Sequence, residues 1–201
     1  MNRPTLQFVV LFLLFSITGI AQTFKPFSIR KNIELKGNMV VVGNSILGQD
    51  NLPFNDLSQD NQDISMQYID IDGISGTFSS SSADVVIPNQ PDGSATTCYR
   101  VAYAGLYWSA ILQNGDRSTI NQIKFKTPLE NLYNDVVGEI VYDAIIDPIP
   151  SFSGEPANTP YACYADVTNL LTDLSSLEGT YTVANVTSSE GSNFSTGLAA
   201  G

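Results

Sequence analysis

The run from Cys98 to Leu112 (CYRVAYAGLYWSAIL) constrains the fold of this chain more than any other stretch. One alternate set is Val101, Tyr103, Gly105, Tyr107, Ser109 and Ile111, and the other is Ala102, Ala104, Leu106, Trp108, Ala110 and Leu112. β-Branched and aromatic residues suit a pleated surface, and a run with neither face built for water fits a strand covered on both sides. The run therefore predicts a central strand. Gly105 weakens a strand interior unless a large ring needs its space, and Tyr103, Tyr107 and Trp108 supply rings nearby. Trp108, the single Trp of the chain, reads first as a core residue and second as a candidate sugar-stacking platform.

The other segments read as short strands separated by turns. GNMVVVGNSILG has an apolar run bounded by Gly37 and Gly43, which predicts a short strand and then a turn. Gln49 to Asp63 is dense in Asn and Asp and predicts a loop. Ile64 to Ile71 alternates as a strand, with Asp70 and Asp72 pointing the same way by the two-residue period. Two carboxylates followed by Gly73 resemble half of a calcium loop, but a third oxygen ligand before the Gly and a Glu beyond it are missing. Asp70 and Asp72 are thus a weak candidate calcium site, weighed against a solvated strand end. The serines from Ser79 to Ser82 predict an exposed strand or loop running on to Ile87.

Asn-Gly within Gln113 to Asp116 predicts a hairpin joining the Cys98–Leu112 strand to a half-exposed one over Ile120 to Lys126, with Ile123 and Phe125 on its inner face. Val136 to Ile149 is a further β-rich stretch, and Ser151 to Pro160 is a loop. From Asp166 to Leu177, Val167, Leu170, Leu171 and Leu174 follow helical spacing, with Asp166 as a candidate N-cap and Gly179 as a stop. Thr180 to Ser188 alternates again as a strand.

Charge and composition narrow the chemistry. The chain has 20 acidic and 9 basic residues and a net charge of −11. Neither Gly37 to Tyr99 nor Thr127 to Gly201 contains a base, so a phosphate backbone would be repelled and nucleic acid is excluded as a partner. Histidine is absent, which removes Ser-His-Asp and Cys-His nucleophile systems and His-containing zinc sites. Any catalysis would rest on carboxylates, and no pair of them can be nominated from sequence. The chain therefore reads as a non-enzyme. Met1 to Ala21 has the basic start, apolar heart (Phe8 to Phe15) and small-x-small end (Gly19-Ile20-Ala21) of a secretory signal. Its apolar part falls short of the roughly 20 residues needed to span a bilayer, so the expectation is export, not membrane insertion. In an exported protein, Cys98 and Cys163 predict a disulfide, closing a loop of roughly 65 residues worth about 4 kcal/mol on the chain-entropy model.

CYRVAYAGLYWSAIL, NQIKFKTP, YACYADVTNLL, GTYTVANV and STGLAAG resemble the N-terminal module of long secreted flavobacterial (Bacteroidota) surface proteins, adhesin-like chains ending in gliding-motility-associated or type IX secretion sorting domains. The resemblance spans roughly residues 38–201 and implies an adhesive or structural module, secreted or on the outer cell surface, contacting a surface, matrix or glycan. It carries no catalytic residues. The alternative is a carbohydrate-binding module or a carboxylate-based glycoside hydrolase. The expected organisation is a signal peptide (1–21), a lead (22–37) and an antiparallel, jelly-roll-like all-β sandwich (38–201) with one short helix. The sheet that receives Thr180 to Ser188 is expected to lack a neighbouring strand and to leave a strand edge uncovered, as if the module were truncated at its C-terminus.

Overall fold

The structure is a computed structural model and describes residues 28–49, 65–113, 115–146, 159–172 and 176–191. The expected signal segment 1–21 lies outside the described residues, as do most of the loops predicted over 49–63 and 151–160. The chain divides into two units, residues 1–32 and 33–201. Of the first, residues 28–32 are described, and they are exposed coil.

The second unit is all-β. Its strands are β1 (Leu47–Gln49), β2 (Met66–Tyr68), β3 (Ser80–Val85), β4 (Gly105–Ile111), β5 (Gln122–Lys126), β6 (Asn134–Val137), β7 (Glu139–Asp143), β8 (Pro160–Asp166) and β9 (Gly179–Ala184), with one helical turn, α1 (Thr168–Leu171). They form a four-stranded sheet, β3-β9-β5-β6, a three-stranded sheet, β4-β8-β7, and the small pair β1-β2, all antiparallel. The pairings nest: β3 with β9, β4 with β8, β5 with β6. A chain rolled up in this way has the winding of a jelly roll, and β7, which pairs with β8, departs from it.

One core fills the space between the two larger sheets. Trp108 and Ala110 enter from β4, Tyr161 and Cys163 from β8, Ile123 and Phe125 from β5, Val136 from β6 and Tyr181 from β9. Strand alternation puts Ile123 and Phe125 inside and leaves Lys124 and Lys126 outside, as their sequence period requires. Phe125 and Tyr181 stack with centroids 6.0 Å apart. The tail of the described chain closes one end. Ser189 N–H and Ser188 Oγ both donate to the Ile111 carbonyl, at 2.8 and 3.2 Å, and Gly191 bridges to Met66.

Several local expectations change. The Cys98–Leu112 run forms β4, but β8 is the middle strand of its sheet and β4 flanks it. Tyr107 and Ser109 face solvent, because hydroxyl-tipped side chains can end in water while their bodies pack. The Gln113–Asp116 link is not a hairpin: β4 and β5 belong to different sheets, so the chain crosses the sandwich there. The stretch over Val136 to Ile149 divides at Gly138 into β6 and β7, again one in each sheet.

Ser79, Ser80 and Ser81 are buried, not exposed. A side chain as small as serine lets the 69–72 segment close on β3, where the Ser80 amide donates to the Ile69 carbonyl at 2.8 Å. Met39 to Val42 are exposed and belong to no strand, and the chain enters the sheet structure only at Leu47, which is fully buried opposite Tyr68. The helix shrinks to one turn. Val167 holds the N-cap position, and Asp166 Oδ1 instead accepts the Thr168 N–H at 3.0 Å. β9, over Gly179–Ala184, lies inside its sheet with β3 and β5 on either side, and β3 and β6 are the sheet's outer strands.

Candidate functional site

The phase of β4 decides which aromatic rings can meet a partner. Its register with β8 sets Trp108 opposite Cys163 and Tyr107 opposite Tyr164. The first pair points into the sandwich. Trp108 is 6% exposed, and its indole N–H donates to the Ile120 carbonyl at 2.9 Å, so it is a core ring and not the sugar platform it was a candidate for. The second pair points outward. Tyr107 is 62% exposed, and its ring lies 4.9 Å from that of Tyr164 at an angle of 46°. Tyr103 completes the cluster by donating its hydroxyl to Tyr164 Oη at 2.9 Å. Gly105 makes room for it, because a Cβ there would lie 2.6 Å from the Tyr103 oxygen and 3.2 Å from the Tyr107 ring. Burial, reinforced by the Tyr164 hydrogen bond and the Asp166 charge, raises the Tyr103 pKa and keeps the phenol protonated.

Beside this cluster, where β6 ends next to the last residues of β8, lies an open cleft of about 410 Å³. Val136, Val167 and Leu170 contribute apolar surface to it, and Asp135, Glu139 and Asp166 supply carboxylates. Asp135 also holds Lys124 Nζ at 2.7 Å. The tyrosine face and this cleft adjoin through Tyr164, which belongs to both.

No family model, curated protein or solved structure matches the chain.

The other residues singled out by sequence serve the fold. Asp70 and Asp72 do come together, in a turn organised by hydrogen-bond donors. Ser80 Oγ donates to Asp70 Oδ1 at 2.9 Å and accepts the N–H groups of Ile71 and Asp72 at 2.8 and 3.0 Å. Asp72 Oδ1 accepts from the Ile74 N–H at 2.7 Å and Thr77 Oγ at 3.0 Å, and its Oδ2 accepts from the Tyr133 hydroxyl. Partial burial pulls the Asp72 pKa upward, but these hydrogen bonds outweigh it and hold the carboxyl below its usual range. Burial and the Asp72 bond raise the Tyr133 pKa in turn. Among the described residues, no group of three or more acidic, Cys or His side chains is arranged to hold a metal ion.

The predicted disulfide is not formed. Cys163 is buried in β8 with its thiol 3.5 Å from the Ile120 carbonyl, whereas Cys98 is exposed in the segment before β4, and both are free. Alternation along β8 turns Cys163 into the core, whereas Cys98 is exposed. Burial, with the charge of Asp143 adding to it, pushes the Cys163 thiol up to about 11, which makes it unreactive.

The most demanding electrostatic site was not foreseen from sequence. Arg117 meets Asp143 through Nη2–Oδ1 at 2.7 Å and Nε–Oδ2 at 3.3 Å, while Nη1 donates to the carbonyls of Leu112 and Thr159 at 2.8 and 3.2 Å. This guanidinium ties together the end of β4, the end of β7 and the approach to β8. It is a structural clamp. Its partner Asp143 sits in a stretch that reads as uniformly β-type, and nothing local in the sequence links it to Arg117.

Proposed function

We propose that this chain is an exported, non-catalytic module of the outer cell surface or extracellular space, with an adhesive or structural role. The observation that carries the reading is Tyr107, a ring 62% exposed yet held against Tyr164 on a sheet surface. Exposed rings ordered in this way lose little freedom on contact, which is why tyrosine serves binding surfaces so well. The secretory pattern of Met1 to Ala21 and the resemblance to adhesin-like surface modules support the same reading. So does the employment of Asp70, Asp72 and Asp143 in turns and clamps, where their oxygens are occupied by donors of the fold.

A second reading, glycan binding, is favoured by the same tyrosines, because sugar rings stack on aromatic faces beside polar groups such as Asp166 and Asn169. Adhesion of the purified chain to cells, extracellular matrix and a glycan array tests both, each measured again with Tyr107→Ala. Binding to cells or matrix that falls with Tyr107→Ala supports the adhesive role, and binding to defined glycans that falls likewise selects the glycan reading. Adhesion unaffected by Tyr107→Ala, or retention of the chain inside the cell, would refute the proposal.

A further inference from the structure

Met39, Val40, Val41 and Val42 are strand-forming residues that no sheet has taken up, and Val41 is 78% exposed. Just after them, Asn44 Nδ2 donates to the Ser82 carbonyl at 2.9 Å, which fastens the chain to β3. β3 and β6 are the two outer strands of the four-stranded sheet, and β6 is bonded only to β5 among the described residues. Three strand spacings, about 14 Å, separate β3 from β6. The two residue steps from the anchor at Asn44 back to Val42 reach only about 7 Å, so the run cannot lie along β6 of its own sheet.

The two surfaces nevertheless match. From Thr23 to Lys36 the chain carries Lys25, Arg30, Lys31 and Lys36 against one acid, Glu34, within a protein of net charge −11. Gly37 to Gly48 has no charge at all. On the other side, β6 adjoins the cleft with Val136, Val167 and Leu170 as apolar surface and Asp135, Glu139 and Asp166 as carboxylates. A basic stretch followed by an uncharged, strand-forming one is the complement of an acidic cleft beside an available strand edge. We infer that residues Lys36–Val42 of one copy add as a strand along β6 of a second copy, with Lys36 directed to the cleft carboxylates and the valines covering the exposed Val137. Main-chain hydrogen bonds to an exposed sheet edge supply affinity in this mode of recognition, and side chains supply register. Donor and acceptor surfaces differ, so two copies that exchange leads reciprocally close as a dimer, whereas a one-way contact propagates head-to-tail into rings or open chains.

Sedimentation velocity of the full chain across a concentration series tests this, with far-UV circular dichroism verifying that each variant is folded. The wild type is expected to grow in mass with concentration at low salt, to a dimer or beyond, and to dissociate as salt is raised. Val41→Lys should weaken association about tenfold or more. Lys36→Glu and Asp135→Lys should each weaken it alone, and an equimolar mixture of the two variants should recover it, because the reversed lead of one meets the reversed cleft of the other. Both positions tolerate the change structurally, since Lys36 is exposed and the Asp135 side chain is 82% exposed. A wild type that stays monomeric at all concentrations, or association that persists in Val41→Lys, would overturn the inference. So would failure of the mixture to recover association.

Discussion

Gly138 is the residue at which the chain leaves one sheet and enters the other, and replacing it with alanine puts a methyl group where the core has no space for it. An ideal Cβ there falls 2.3 Å from Trp108 Cη2, 3.0 Å from Cζ2 and 2.6 Å from the Tyr164 carbonyl oxygen. Neither obstacle can swing aside. Trp108 is fixed by its bond to the Ile120 carbonyl, and the Tyr164 carbonyl belongs to the backbone of β8, which is paired on both sides. Gly138 is itself fastened, its N–H donating to the Asn121 carbonyl at 2.7 Å and its own carbonyl accepting Asn121 Nδ2 at 3.0 Å. Overpacking usually costs about 1–3 kcal/mol, and two immovable neighbours place Gly138→Ala at the upper end, about 3 kcal/mol. For a domain of this size that is a fall in Tm of about 6–12 °C.

The cause can be separated from the effect with Trp108→Phe. Phenylalanine lacks the Cη2 and Cζ2 atoms, but it leaves the Ile120 carbonyl without its indole donor and opens a cavity, so alone it should cost about 2 kcal/mol. In the double variant the ring clash disappears while the clash with the Tyr164 carbonyl stays. The two changes together should therefore cost about 1–2 kcal/mol less than their sum. Calorimetry or circular dichroism melts of the four proteins give the cycle. A Gly138→Ala variant within 2 °C of wild type, or strictly additive costs, would refute the packing assigned to this residue.

Other perturbations follow from the same geometry. Asp143→Ala leaves the half-buried Arg117 guanidinium without its carboxylate and should cost about 3–5 kcal/mol in denaturant titration, whereas Arg117→Met with Asp143→Leu should recover most of it; equal losses in both would contradict the clamp. Asp72 has a folded pKa below its ordinary value of 3.8, so its stabilising contribution is present above that value and is lost as the pH falls below it. Melts of Asp72→Asn should accordingly lose less stability than wild type on acidification below pH 3.8, and identical acid limbs would show that the hydrogen bonds from Tyr133, Ile74 and Thr77 contribute nothing. Because those donors occupy the Asp72 oxygens, calcium at about 1 mM, the range in which extracellular modules bind it, should leave the Tm unmoved. A rise reversed by EDTA would show that the Asp70–Asp72 turn rearranges to take the ion.

The alternation of single strands was legible in the sequence because it is a local property. Ile123 and Phe125 against Lys124 and Lys126 admit only one inner face, and β5 has it. The pairing of strands was not legible, because β3 meets β9 and β4 meets β8 across long loops, and no local pattern encodes such closures. Asn-Gly near position 115 is a sound turn signal, yet a turn joins whatever the long-range pairing places on either side, and here it joins two sheets. Gly138 carried the same ambiguity: between Val137 and Glu139 it reads as a weak point in one long strand, and only the ring of Trp108 beneath it shows why alanine is excluded.

The placement of the candidate site turned on a single residue of phase. In the Cys98–Leu112 run both alternate sets are apolar or aromatic, so the sequence offers no polar set to mark the outside. What separates them is that tyrosine and serine tolerate water at their tips, whereas tryptophan with its one donor satisfied by the Ile120 carbonyl does not need it. On that ground Tyr107 and Ser109 go outward together and carry Tyr164 with them by register, while Trp108 goes inward with Cys163. The same phase that buries Trp108 also turns the Cys163 thiol away from solvent, while Cys98 is exposed, so the lost platform and the burial of Cys163 have one cause. Residues directly opposite across β4 and β8 share a face, so a one-residue change of phase in the paired strands would reverse all four side chains at once, which makes Tyr107 exposure and Cys163 protection a coupled pair of observables. A thiol-reactive probe should therefore label Cys98 and spare Cys163 in the folded chain, and rapid labelling of both would place the tyrosine face, and with it the proposed adhesive surface, on the wrong side of the sheet.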